Sequence, residues 1–131
     1  MRRHLIAAAL IMLGAAAIAS AQAMRSVPRV SIDELKALMA ERAVLVIDVR
    51  EAAQYAAGRI PGAVHVDYTE MPARGRRFAG ETRTIVTYCA CSNETTAARA
   101  ALDLAAAGVP GAKALRGGWH EWVARGEAVE K

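Results

Sequence analysis

The run Val44-Leu45-Val46-Ile47 constrains the fold more than any other segment. Consecutive apolar residues with little alternation suit a strand covered on both faces, and such strands belong to parallel sheets with helices above and below. Asp48-Val49-Arg50 ends the run. Strand and helix signals alternate on either side of it, which is the pattern of an α/β fold. Upstream, Val30 closes a short strand and Ser31 opens a helix, with Glu34 completing a capping box. Val30 and Leu35 stand where a hydrophobic staple forms, and Ile32, Leu35, Leu38 and Met39 give that helix one apolar face. Downstream, the spacing predicts a short helix over 51–57, a turn at Ile60-Pro61-Gly62 and a strand over 63–66. Residues 68–82 read as polar and irregular, with one helical turn. Strands follow at 84–88 and 112–115, separated by a helix from Thr95 or Thr96 to Gly108. Ala98, Ala101, Leu102 and Ala105 form the expected buried side of that helix, and Arg99 and Asp103 pair on the other. Gly117-Gly118 and a helix near 119–125 complete the chain.

The first 23 residues stand apart. Arg2 and Arg3 are followed by an uncharged apolar run from Leu5 to Ala19, and Ala21-Gln22-Ala23 places small residues where a signal peptidase cuts. The run is about 15 residues, short of the roughly 20 that span a bilayer. The expectation is a signal peptide over 1–23, a domain over 24–131 and a periplasmic mature form that does not span the membrane. Of 17 Lys+Arg, removing Arg2 and Arg3 leaves 15 against 13 Asp+Glu, so the mature charge is nearly balanced. That balance gives no support to nucleic-acid binding, and Arg74, Arg76 and Arg77 read as a solvated loop.

The chemistry-bearing segment is Tyr88-Cys89-Ala90-Cys91-Ser92-Asn93-Glu94-Thr95, between the carboxyl end of a strand and the start of a helix. Ligands collect at that edge of an open α/β sheet. Unpartnered amides of the first helical turn and of the loop form an anion nest there. A cysteine at the first loop position sits in that field, which favours the nucleophilic thiolate. Cys91 has three readings: a small loop residue, a disulfide partner for Cys89, or a thiol that attacks an oxidised or persulfidated Cys89. A Cu(I) site on Cys89 and Cys91 would suit soft thiolates, but His65 and His120 lack ligand spacing to them, so no metal is expected.

From about Val30 to Val129 the chain resembles rhodanese-like domains. The resemblance rests on Asp48-Val49-Arg50-Glu51, on Tyr55 with Gly58-Arg59-Ile60-Pro61-Gly62-Ala63, and on Tyr88-Cys89. Ala97-Ala98, and Leu115 with Gly117-Gly118 and Trp122, continue it in order. It implies a rhodanese-like α/β fold, a five-stranded parallel sheet flanked by helices on both faces. It also implies a sulfurtransferase without cofactor that moves a sulfane sulfur from a small donor to a thiol-type acceptor through a persulfide on Cys89. The six-residue loop from Cys89 to Glu94 is the length that the superfamily links to sulfur substrates, where its phosphatases have a longer one. By the same resemblance Ala90, Cys91, Ser92, Asn93, Glu94 and Thr95 surround the substrate, with Arg50 and Arg59 lending charge. Arg116 is a third source of positive charge. The loop departs from the common pattern at Ser92, Glu94 and Thr95, where Gly, Arg and Ser are usual. It is similar to a variant branch with a Cys-x-Cys loop ending in Asn-Glu, whose usual Pro is Ser92 here. Glu94 either points inward, opposing anionic donors, or turns outward or pairs with an arginine. Two other readings stay open: a non-catalytic binding module, and a thiol redox or metal-handling protein using Cys89 and Cys91.

Overall fold

The computed structural model describes residues 2–131. Five strands form one sheet: β1 (Arg29–Val30), β2 (Val44–Asp48), β3 (Val64–His65), β4 (Thr84–Tyr88) and β5 (Lys113–Leu115), in the order β1-β5-β4-β2-β3. Every pairing is parallel. Among the described residues six α-helices accompany them: α1 (Arg2–Ser26), α2 (Ile32–Ala40), α3 (Ala52–Ala57), α4 (Met71–Arg74), α5 (Thr95–Ala106) and α6 (Gly118–Ala124).

β2 shows why its apolar run is continuous. Leu45 and Ile47, with Ile85 of β4, pack on one face with Ala97, Ala101 and Leu104 of α5. Val44 and Val46, with Val86 and Tyr88 of β4, pack on the other with Ile32 and Leu35 of α2 and with Trp122 of α6. Burying each of the larger side chains stabilises the fold by about 1.5–3 kcal/mol. The capping box of α2 is present: Ser31 Oγ accepts from the Glu34 amide (3.2 Å), and Glu34 Oε2 accepts from the Ser31 amide (2.7 Å).

Two expectations need correction. The 68–82 segment is more ordered than its polarity suggests, with 3-10 turns at Tyr68–Glu70 and Gly75–Phe78 around α4. The buried side of α5 is Ala97, Ala98, Ala100, Ala101 and Leu104, whereas Ala105 is exposed and Leu102 half-buried. An alanine-rich helix offers little contrast between its faces. Here the Gly75 turn comes close enough to Leu104 and Ala107 that an added Cβ would stand 3.4 Å from each, so α5 is covered on a second side.

Residues 11–20 of α1 are exposed throughout. Its end docks: Met24 packs against the core, its carbonyl accepts from Arg29 Nη1 (2.9 Å), and Val27 is buried. Among the described residues no helix is long and apolar enough to cross a membrane.

The order β5-β4-β2-β3 places a switch point between β4 and β2, because their onward connections leave in opposite directions. Asp48 pairs with Tyr88 across that boundary, so the residues after them, Val49-Arg50 and Cys89, emerge side by side.

Candidate active site

A buried polar knot closes the ends of β2 and β4. Asp48 accepts from the Arg50 amide (3.0 Å), from Arg50 Nε (2.9 Å to Oδ1) and from Nη2 (2.5 Å to Oδ2). The Tyr88 hydroxyl donates to Asp48 Oδ2 (2.5 Å) and accepts from the Ile60 amide (3.2 Å). Arg50 Nη2 also donates to the Gly58 carbonyl (2.7 Å), and the guanidinium carbon stacks 4.1 Å from the Trp119 ring centre. Burial, then the hydrogen bond to Asp48 and its charge, push the Tyr88 hydroxyl far above the usual phenol range, so it stays a donor. Burial is the largest single influence on Arg50 and works against its charge, but the bond to Asp48, the Asp48 charge and the Tyr88 oxygen together outweigh it, and the guanidinium is held more firmly protonated.

The loop after β4 is clasped by the turn before α6. The Trp119 amide donates to the Cys89 carbonyl (2.9 Å), and the Gly117 amide donates to Glu94 Oε1 (2.8 Å). Glu94 Oε2 lies 3.8 Å from Arg29 Nε. Gly118 has φ +53°, and a Cβ there would collide with the Cys89 carbonyl oxygen. Gly118→Ala therefore combines a left-handed backbone with a collision. It is expected to lower stability by about 2–3 kcal/mol, read as a fall in melting temperature, and to displace the Cys89 loop.

Cys89 and Cys91 are joined by a disulfide. Cys89 is 3% exposed, and Cys91 is half-buried. The Thr96 amide, in the first turn of α5, points at Cys91 Sγ (3.5 Å). The sequence led us to expect amides converging on the Cys89 sulfur; the one directed at sulfur here meets Cys91 instead, and Cys89 Sγ lies 3.9 Å from the Cys91 carbonyl oxygen. Both cysteines line a cavity of about 160 Å³ with Arg50, Gln54, Ala90 and Thr96. A neighbouring cavity of about 280 Å³ shares Arg50, Gln54 and Ala90 and adds Trp119 and His120.

Of the residues expected around the substrate, Ala90, Cys91 and Arg50 line this cleft with Cys89. Ser92, Asn93 and Thr95 lie on the outer, exposed side of the loop, where Asn93 Oδ1 accepts from the Thr95 amide and hydroxyl. Glu94 turns away from the cleft to Gly117 and Arg29, and it takes up a left-handed φ of +54°. Arg59 is displaced too: its guanidinium binds Glu130 Oε1 (2.6 Å) and the Lys131 carbonyl (3.2 Å) and stacks over Tyr55. Arg116 is exposed on the β5 side. Glu51, Gln54, Tyr68 and Thr96 also line the cleft, though none of them was among the residues expected around the substrate. For Glu51 and Gln54 the available signal was their capping box at the start of α3, next to the Asp48-Val49-Arg50 strand end. His65 is occupied, with Nε2 2.7 Å from the Arg50 carbonyl and its ring stacked on Tyr55. Among the described residues no group of three or more His, Cys, Asp or Glu side chains is placed to hold a metal.

Residues 31–125 match the rhodanese-like domain family. The chain belongs to that family. Solved structures agree with this rhodanese-like fold. A rhodanese-like domain from Anabaena is 27% identical with a TM-score of 0.67, over 79% of this chain and 78% of its own. A human single-domain sulfurtransferase is 26% identical with a TM-score of 0.64, over 75% of this chain and 96% of its own. Thiosulfate sulfurtransferase from Pseudomonas aeruginosa is 28% identical with a TM-score of 0.70, over 83% of this chain but only 21% of its own.

Proposed function

We propose that this rhodanese-like chain, once reduced, is a sulfurtransferase that takes a sulfane sulfur onto Cys89. One observation carries the reading: Cys89 leaves the central strand at the switch point, its carbonyl clasped by Trp119 and its sulfur at the wall of a small cleft. The Cys89 thiolate attacks the outer sulfur of the donor. A Cys–S–S bond forms, the donor's S–S bond breaks, and the leaving thiolate or sulfite carries off the electron pair. An acceptor thiolate then removes the outer sulfur by the same displacement.

The cleft also bears on the donor. The Arg50 charge is balanced by Asp48, and Glu51 adds a carboxylate at the rim. A cavity without surplus positive charge suits a small organic persulfide better than the thiosulfate dianion. Single-turnover consumption by the reduced protein without air tests this. Glutathione persulfide is expected to be used at least about tenfold faster than thiosulfate, a preference of about 1.4 kcal/mol. Equal rates would remove the charge argument, and no consumption of either would remove the sulfurtransferase reading.

The disulfide favours a second reading beside it, a thiol redox role for Cys89 and Cys91. The chain is further proposed to work in the periplasm after cleavage behind Ala23. The exposed stretch 11–20 contributes nothing to the core, while Met24 and Val27 do. Sequencing the exported protein is expected to read Met24 first; a chain that retains Arg2 and Arg3 would refute export by cleavage.

A further inference from the structure

We propose that Cys91 discharges the Cys89 persulfide within the same chain, releasing sulfide and producing the Cys89–Cys91 disulfide. This rests on the sulfurtransferase reading above and adds an activity to it: reduction of sulfane sulfur to sulfide.

Three observations converge on Cys91. Its sulfur reaches Cys89 Sγ while the rest of the site stays assembled: Trp119 still holds the Cys89 carbonyl, Glu94 still holds Gly117, and α5 still starts at Thr95. The bond therefore closes inside an intact loop. Next, the Thr96 amide points at Cys91 Sγ, so the field at the start of the 12-residue helix α5 favours the Cys91 thiolate. Last, Cys89 is almost sealed and Cys91 is not. An external thiol must enter the cleft to reach Cys89, whereas Cys91 already sits beside it, an advantage of effective concentration.

The direction of attack follows from displacement at sulfur, in which nucleophile, central sulfur and leaving sulfur lie in line. Cys91 approaches Cys89 Sγ from within the loop, so the outer sulfur of the persulfide leaves on the side of Cys89 Sγ opposite Cys91. The Cys91 thiolate pair forms the new bond to Cys89 Sγ. The bond from Cys89 Sγ to the outer sulfur breaks, and its electron pair departs as hydrosulfide. The sulfane sulfur gains two electrons and the two cysteines lose them. A dithiol reductant restores the pair: its first thiolate attacks the more exposed Cys91 Sγ and Cys89 leaves as thiolate; its second thiolate then attacks the sulfur bound to Cys91, closing the reductant's own disulfide as Cys91 leaves as thiolate.

The test is a single turnover of fully reduced protein with one equivalent of glutathione persulfide, without air, scored against Cys89→Ser as the background for spontaneous sulfide. The unaltered chain is expected to release one equivalent of sulfide per chain and to end two protons lighter with no sulfur added. Cys91→Ser is expected to stop at the first step, keeping one extra sulfur on Cys89 and releasing sulfide about a hundredfold more slowly or less. Cys91→Ala is run in parallel, with circular dichroism confirming that both variants fold. An unaltered chain that keeps the added sulfur and releases no sulfide overturns the proposal while leaving the persulfide reading intact. If neither Cys91 variant takes up sulfur although both fold, the persulfide reading fails and this proposal with it.

Discussion

Fully reduced protein is expected to consume one equivalent of a small persulfide per chain, and the disulfide form none. The reason is electronic rather than steric. A nucleophilic cysteine needs a thiolate lone pair, and in the disulfide both sulfurs are already bonded to each other. Cys89→Ser should fail in the same way after reduction, with a loss of about a thousandfold or more, the scale seen when a nucleophile is removed from an otherwise intact site. Reduction itself should disturb the fold little. The loop is held by Trp119 on the Cys89 carbonyl and by Gly117 on Glu94, not by sulfur. A ring closed between residues two apart removes little chain entropy, worth under about 2 kcal/mol. Donor-derived thiol, counted by chromatography, checks the prediction. Equal consumption by the disulfide form, or consumption by reduced Cys89→Ser, would show that the sulfur acceptor lies elsewhere.

What the sequence disclosed about this site follows how far apart the interacting residues stand. Features decided within a few residues were legible: the buried run at β2, the Ser31–Glu34 box, and a cysteine where β4 gives way to α5. Features that need distant chain segments were not. Arg50 and Arg59 look alike as sources of charge, yet Arg59 is taken by Glu130, 71 residues away, when the chain end folds back. For Glu94 the sequence left two orientations open, and the choice between them is made by Gly117, 23 residues on, and by Arg29. The α5 face was obscured for another reason: alanine supplies almost no hydropathic contrast, so the Gly75 turn rather than the helix pattern decides what Leu104 meets. The Cys89–Cys91 bond stood among three open readings because a step of two residues was expected to strain the loop. The loop contains one left-handed residue, Glu94, whose cost of about 1–2 kcal/mol is offset by its bonds to Gly117 and Arg29.

Arg50→Ala is expected to be the most damaging single change to the fold. Its side chain is 3% exposed and that of Asp48 is fully buried, and removing one partner of such a pair costs about 3–5 kcal/mol because a buried carboxylate is left without its cation. Whole domains are stable by only about 5–15 kcal/mol, so the melting temperature should fall by roughly 15 °C or more. The Tyr88 hydroxyl and the Arg50 amide would still reach Asp48, but neither brings charge. Arg50→Lys should recover part of the loss and no more, since an ammonium cannot span both carboxylate oxygens and the Gly58 carbonyl as the planar fork does. The damage should also reach the chemistry. Trp119 loses the guanidinium stacked on its ring, and Trp119 is the residue whose amide holds the Cys89 carbonyl. Below its melting temperature, the reduced Arg50→Lys variant should therefore use persulfide more slowly than the unaltered chain. A double-mutant cycle with Asp48→Ala separates the pair from its surroundings, and a coupling of at least about 1 kcal/mol is expected. Additive losses at the two positions would mean that the ion pair does not hold this sheet edge, and an Arg50→Lys variant with undiminished turnover would cut the link from Arg50 through Trp119 to Cys89.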